Sequence, residues 1–123
     1  MMNECRLLVL DADPETMGII SEALADQGYV IRLATDGDEA RLVIAREHPA
    51  LALIHVGQTD QDTLAVIRDL KELSPDLTVL IIGGGPEAWK ASVRVGAVGY
   101  VADPLDVSAL VISVEQICPL VQR

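Results

Sequence analysis

The chain has 123 residues, half of them hydrophobic, and a formal net charge of −10. That length suffices for one domain with a single core, built without disulfides or metal. Nine scattered basic residues do not make the clustered Lys and Arg face of a nucleic-acid binder, and no apolar run approaches the roughly 20 residues of a membrane span.

Around Glu4 the amino terminus has an acid and a strand-like run where a secretory signal has a basic region and a long apolar stretch. Cys5 and Cys118, near opposite ends, fit no metal or redox spacing. The plain reading is a reduced, cytoplasmic protein.

The first strand is predicted at Arg6 to Leu10, ending at Asp11. Asp13-Pro14 offers an N-cap and a first-turn proline. Met17, Ile20 and Leu24 give the following helix an apolar stripe, which Gly28 closes. Tyr29 to Ala34 reads as a short strand, and Arg32 interrupts its apolar positions as at a sheet edge. Asp36 with Glu39 three residues later resembles a capping box, and Ala40, Val43 and Ile44 continue that helix until Pro49. His48 then falls in a C-terminal turn, favoured there by the helix dipole.

Leu51 to Ile54 is the third strand-like run, and it stops at His55. After the polar stretch Gly57 to Gln61, Leu64, Ile67 and Leu70 form the stripe of a helix that Ser74-Pro75 ends. Thr78 to Ile82 runs into Gly83-Gly84-Gly85-Pro86, the most permissive backbone in the chain. A short helix is predicted from Glu87 to Val95, with Gly96 in its C-terminal turn. Val98 to Ala102 is the last strand, and Asp106 caps a final helix bearing Val107, Leu110, Val111, Val114 and Ile117.

Continuous apolar strands alternating with helices argue for a parallel sheet covered on both faces. Right-handed crossovers wind five such strands and five helices into a doubly wound α/β fold, a helix–sheet–helix sandwich. Sites in these sheets lie at the carboxyl ends of the strands, so Asp11, His55, Gly83 and Asp103 decide the chemistry. The glycine run lacks the Lys and Ser/Thr of a phosphate-binding loop and the spacing of a dinucleotide fingerprint. It is read as a flexible connector.

Three phrases carry a resemblance across essentially the whole chain: Leu8-Val9-Leu10-Asp11-Ala12-Asp13-Pro14, Ala34-Thr35-Asp36-Gly37-Asp38-Glu39-Ala40, and Gly96-Ala97-Val98-Gly99-Tyr100-Val101-Ala102-Asp103-Pro104-Leu105. In this order and spacing the chain resembles the receiver domain of two-component response regulators. The resemblance implies a flavodoxin-like sheet of order 2-1-3-4-5. It also implies that residues 1–123 form one receiver-like domain, expected to be the amino-terminal part of a longer regulator.

The family's machinery falls on altered residues. The acidic pair that binds Mg²⁺ reads Asp11-Ala12, and the phosphoacceptor position is His55. The hydroxyl residue that follows the phosphoryl group is Gly83, and the Lys before Pro104 is Asp103. Aspartyl phosphorylation needs a carboxylate nucleophile and a hard cation bridging it to phosphoryl oxygens, so a degenerate receiver is expected, with no catalytic residue and no cofactor. His55 and Asp103 reverse the polarity of the family's acid–Lys pair. They either form a hydrogen-bonded pair that holds the loops in one state or remain a neutral imidazole and a solvated loop acid. Asp11, His55 and Asp103 are also weak candidates for a transition-metal site.

Tyr100 occupies the place of the family's switch aromatic, expected to turn inward over Gly83, although an ordinary half-buried strand Tyr has the same sequence. Receivers commonly pair through the face of the fourth helix, fifth strand and fifth helix, which here carries Trp89, Lys90, Arg94, Ala109 and Ile112. Trp89 either anchors a partner there or packs on its own helix. The expected function is a phosphorylation-independent signalling module, neither an enzyme nor a binder of nucleic acid or membrane, acting on a protein partner or its own output domain. A homodimer through that face belongs to the same reading. The alternative is a ligand- or metal-sensing domain that uses the vacated strand-end pocket.

Overall fold

Side chains alternate across a strand, so a strand that is apolar at every position has two faces to bury. In the computed structural model, which describes residues 5–11, 13–56, 61–83, 90, 92–102 and 105–119, both faces are buried by helices. The elements in chain order are β1 (Arg6–Leu10), α1 (Pro14–Asp26), β2 (Val30–Ala34), α2 (Gly37–Glu47), β3 (Leu51–Val56), α3 (Gln61–Leu73) and β4 (Thr78–Gly83). Helical residues 92–94 mark α4, followed by β5 (Gly99–Ala102) and α5 (Val107–Ile117). The five strands are all parallel in the order β2-β1-β3-β4-β5.

Strand parity sorts the core into two layers. Leu7, Val9, Leu51, Leu53, Leu80 and Ile82 pack under α1 and α5, against Met17, Ile20, Leu24, Leu110 and Val114. Their neighbours Leu8, Leu10, Ala52, Ile54, Val79 and Ile81 face Ala40 and Ile44 of α2 and Ile67 and Leu70 of α3. β2 is the edge strand, as Arg32 suggests, and Arg32 lies outside both layers, donating to Glu47 at 2.6 Å.

Local signals place the helices. Asp13 and Asp106 cap α1 and α5 by accepting from the N–H groups of Glu15 and Ala109, at 3.2 and 3.1 Å. Asp36 accepts from Glu39 N–H at 2.9 Å. The reciprocal arm of this box lands one residue early, because the Glu39 carboxylate accepts from Thr35 N–H at 2.8 Å and from the Thr35 hydroxyl. His48 ends α2 in the left-handed region at φ 48, its N–H donating to Ile44 O. β2 and β5 each begin one residue later than their apolar patterns suggest, and β3 continues through His55 to Val56.

The cysteines correct the reading of separate, reduced thiols. Cys5 and Cys118 form a disulfide with a Cα–Cα distance of 6.3 Å, across 113 residues of sequence. Their separation hides the pairing. β1 starts, and α5 ends, at the same amino-terminal edge of a parallel sheet, so the fold brings the two ends together.

Candidate functional site

β1 and β3 are hydrogen-bonded neighbours with Leu10 opposite Ile54, so the residues after these positions, Asp11 and His55, come together at the carboxyl end of the sheet. His55 Nδ1 lies 3.4 Å from Asp11 Oδ1. Asp11 is 3% exposed, and the side chain of His55 beside it is 25% exposed. Asp13 N–H donates to Asp11 Oδ1 at 2.9 Å, while Asp11 Oδ2 is buried without a hydrogen-bond partner.

Asp13 contributes its backbone to this site and its side chain to the helix cap. The Thr16 hydroxyl donates to Asp13 Oδ2 at 2.7 Å. That bond first, and the Glu15 N–H second, hold the Asp13 carboxyl below its ordinary range; the charge of His55 adds a smaller pull in the same direction. Thr16 was not a candidate from the sequence, although an Asp-Pro-x-Thr start to a helix is a legible capping signal.

Gly83 closes β4, opposite Val56 of β3 and Ala102 of β5. Tyr100, half-buried on β5, packs on the core layer under α2 and α3 and donates its hydroxyl to Gly83 O at 2.8 Å. The bond satisfies a carbonyl at the point where the strand gives way to the glycine run. Ala12, Asp103, Pro104 and Trp89 lie outside the described residues. A described contact of His55 is the one with Asp11, which follows the neighbouring strand β1. Lys90, Arg94, Ala109 and Ile112 are all exposed on α4 and α5 or the residues leading into them, Ile112 by 56%.

The resemblance implies Mg²⁺, a hard ion that takes about six oxygen ligands. Among the described residues the strand ends offer one carboxylate and one imidazole, and no group of three His, Cys, Asp or Glu side chains converges. This donor set does not fit Mg²⁺. An imidazole beside a carboxylate suits a softer divalent ion better.

The family model for the response regulator receiver domain matches residues 7–115. The nitrogen assimilation regulatory protein NtrX of Azorhizobium caulinodans is 28% identical over 114 residues, covering 89% of this chain and 25% of that protein. Among solved structures, NtrX from Brucella abortus superposes with a TM-score of 0.84 at 26% identity, over 94% of this chain and 27% of that one. A response regulator from Thermotoga maritima gives a TM-score of 0.84 at 25% identity, over 94% of this chain and 98% of that one. The chain thus spans a quarter of the length of the curated NtrX, and 55% of the photosynthetic apparatus regulatory protein RegA of Cereibacter sphaeroides.

Proposed function

Because the chain belongs to the response regulator receiver domain family, we propose that it is a degenerate receiver, an interaction module of two-component signalling that works without aspartyl phosphorylation. The contact of His55 with Asp11 at 3.4 Å carries this reading. A receiver is phosphorylated on a carboxylate held against a metal ion. Here an imidazole lies against the buried acid instead. Gly83 at the end of β4 brings no hydroxyl, and at the position that the resemblance assigns to the family's Lys the sequence has the acid Asp103. At about 4 Å such a reversal of sign is worth kcal/mol at intermediate dielectric.

With phosphotransfer gone, signalling rests on surfaces. The module acts in the cytoplasm, without enzymatic activity of its own, as the amino-terminal part of a longer regulator. It engages its output domain or a protein partner through α4, β5 and α5, and a second copy of the chain is a candidate occupant of that face. Among the described residues no helix is long and apolar enough to cross a membrane.

The test is intact mass and melting temperature after incubation with acetyl phosphate, or with beryllofluoride, each with Mg²⁺. Unchanged mass and melting temperature are expected; a phosphoryl adduct would overturn the proposal. One observation favours a second reading, a metal-sensing domain. Asp11 Oδ2 is buried and lacks a partner, so a cation held there would satisfy it. Mn²⁺ or Zn²⁺ alone raising the melting temperature, by mass action on the folded state, would put that reading first.

A further inference from the structure

The strand-end site uses Asp11, His55, Gly83 and Tyr100, and leaves the opposite edge of the sheet unexplained. There Cys5, one residue before β1, is bonded to Cys118, one residue after α5. We propose that this disulfide is a redox site, a latch on the end of α5 that a soluble dithiol opens and a low-molecular-weight disulfide re-forms. The inference goes beyond the degenerate-receiver reading and stands whether or not the chain accepts phosphate.

Three observations carry it. The chain has two cysteines, so each has one intramolecular partner and the pair is either joined or open. Their environments differ: Cys5 is 3% exposed inside the layer under α1 and α5, whereas Cys118 is only partly buried against that layer. Cys118, the less buried of the two, is the more accessible to an attacking thiolate. The body of the fold also has apolar support away from the bond, since Ile54, Leu70 and Ile81 are fully buried in the other core layer, which contains neither cysteine. Opening the latch therefore loosens the end of α5 rather than the sheet. Cys118 is still held by hydrogen bonds from Tyr29 Oη to its carbonyl at 2.9 Å and from its own N–H to Val114 O at 2.8 Å.

The exchange balances. A thiolate of the dithiol attacks Cys118 Sγ, the disulfide breaks, and Cys5 leaves as a thiolate that takes a proton. The second sulfur of the dithiol then attacks the mixed disulfide and releases the Cys118 thiol. Two electrons and two protons pass to the cysteines, and the reductant becomes a cyclic disulfide. A small disulfide reverses this, leaving as two thiols.

The whole chain is equilibrated in dithiothreitol buffers of graded oxidation, with free thiols counted by alkylation and mass, and hydrogen exchange measured in parallel. One reversible two-electron transition is expected, from no alkylated cysteines to two. Exchange at residues 114–118 should rise by about tenfold or more on reduction while β3 and β4 stay protected. Two free thiols in fully oxidising buffer would overturn the proposal. So would alkylation that appears only when β3 and β4 lose protection, because the bond would then be a permanent staple. Cys118→Ser in oxidising buffer should reproduce the reduced exchange pattern, and an unchanged pattern would also overturn it. If that variant fails to fold, the titration of the unmutated chain still decides.

Discussion

Asp11 is buried in a site where one of its two carboxyl oxygens has no partner. Desolvating a carboxylate costs more than desolvating an amide, and the His55 contact at 3.4 Å is too long for a strong hydrogen bond. Asp11→Asn keeps an oxygen to accept from Asp13 N–H and replaces the buried acid with a neutral amide. The variant is expected to be more stable by about 1 kcal/mol, read from urea unfolding; a lower midpoint would show that His55 compensates the charge. Glu47 gives a second residue-scale expectation. The Arg32 side chain, hydrogen-bonded at 2.6 Å, holds the Glu47 carboxyl below its ordinary range, and Arg6 adds to this from 3.5 Å. A carboxyl whose folded-state pKa is depressed stabilises the fold above its unfolded pKa and loses that contribution as pH falls through the folded value. The difference in melting temperature between the unmutated chain and Glu47→Gln should thus be present at neutral pH and vanish in acid, below the ordinary glutamate range. The exposure of all three groups keeps the effect small.

Between elements, α2 and α3 meet at a close approach that requires glycine. A Cβ on Gly37 would lie 2.9 Å from Val66 Cγ2 and 3.3 Å from Cγ1. Val is stiff about χ1, so the side chain cannot swing clear as a longer one would. Gly37→Ala should destabilise the chain by about 1 kcal/mol or more, despite the gain in helix propensity. Adding Val66→Ala should recover part of that loss, and thermal unfolding of the two single variants and the double variant measures the coupling. The same pair of helices is tied at the surface by Arg41, which bridges Asp38 on its own helix and Asp69 on α3 at 2.7 and 2.6 Å. The capping residues of α1, α2 and α5 and the apolar stripes of α1, α2, α3 and α5 are legible because they are local, set by spacing along one element. The detail that escaped was equally instructive: Glu39 reaches Thr35 rather than Asp36, a choice among adjacent N–H groups that depends on the path of the incoming chain.

For the molecule as a whole, the exposed face of α5 offers a test of self-association. Ile112 is 56% exposed, so Ile112→Arg should leave the melting temperature within a degree or so. If a second copy occupies that face, the same change should convert the dimer to monomer in sedimentation at fixed concentration. A dimer that survives would move the contact elsewhere. The alternation of strands and helices, the two-sided burial and the capping residues can be read from the chain alone, because each is a matter of near neighbours and of period. The stops of the apolar runs also mark Asp11 and Gly83 at the ends of β1 and β4, whereas β3 runs past His55 to Val56. Which of these residues meet depends on strand order in the folded sheet. Direct pairing of β1 with β3 puts His55 beside Asp11, and adjacency of β4 and β5 lets Tyr100 reach Gly83 O. The joining of Cys5 to Cys118 was beyond any local pattern, because contacts across 113 residues are set by strand order and helix direction rather than by spacing.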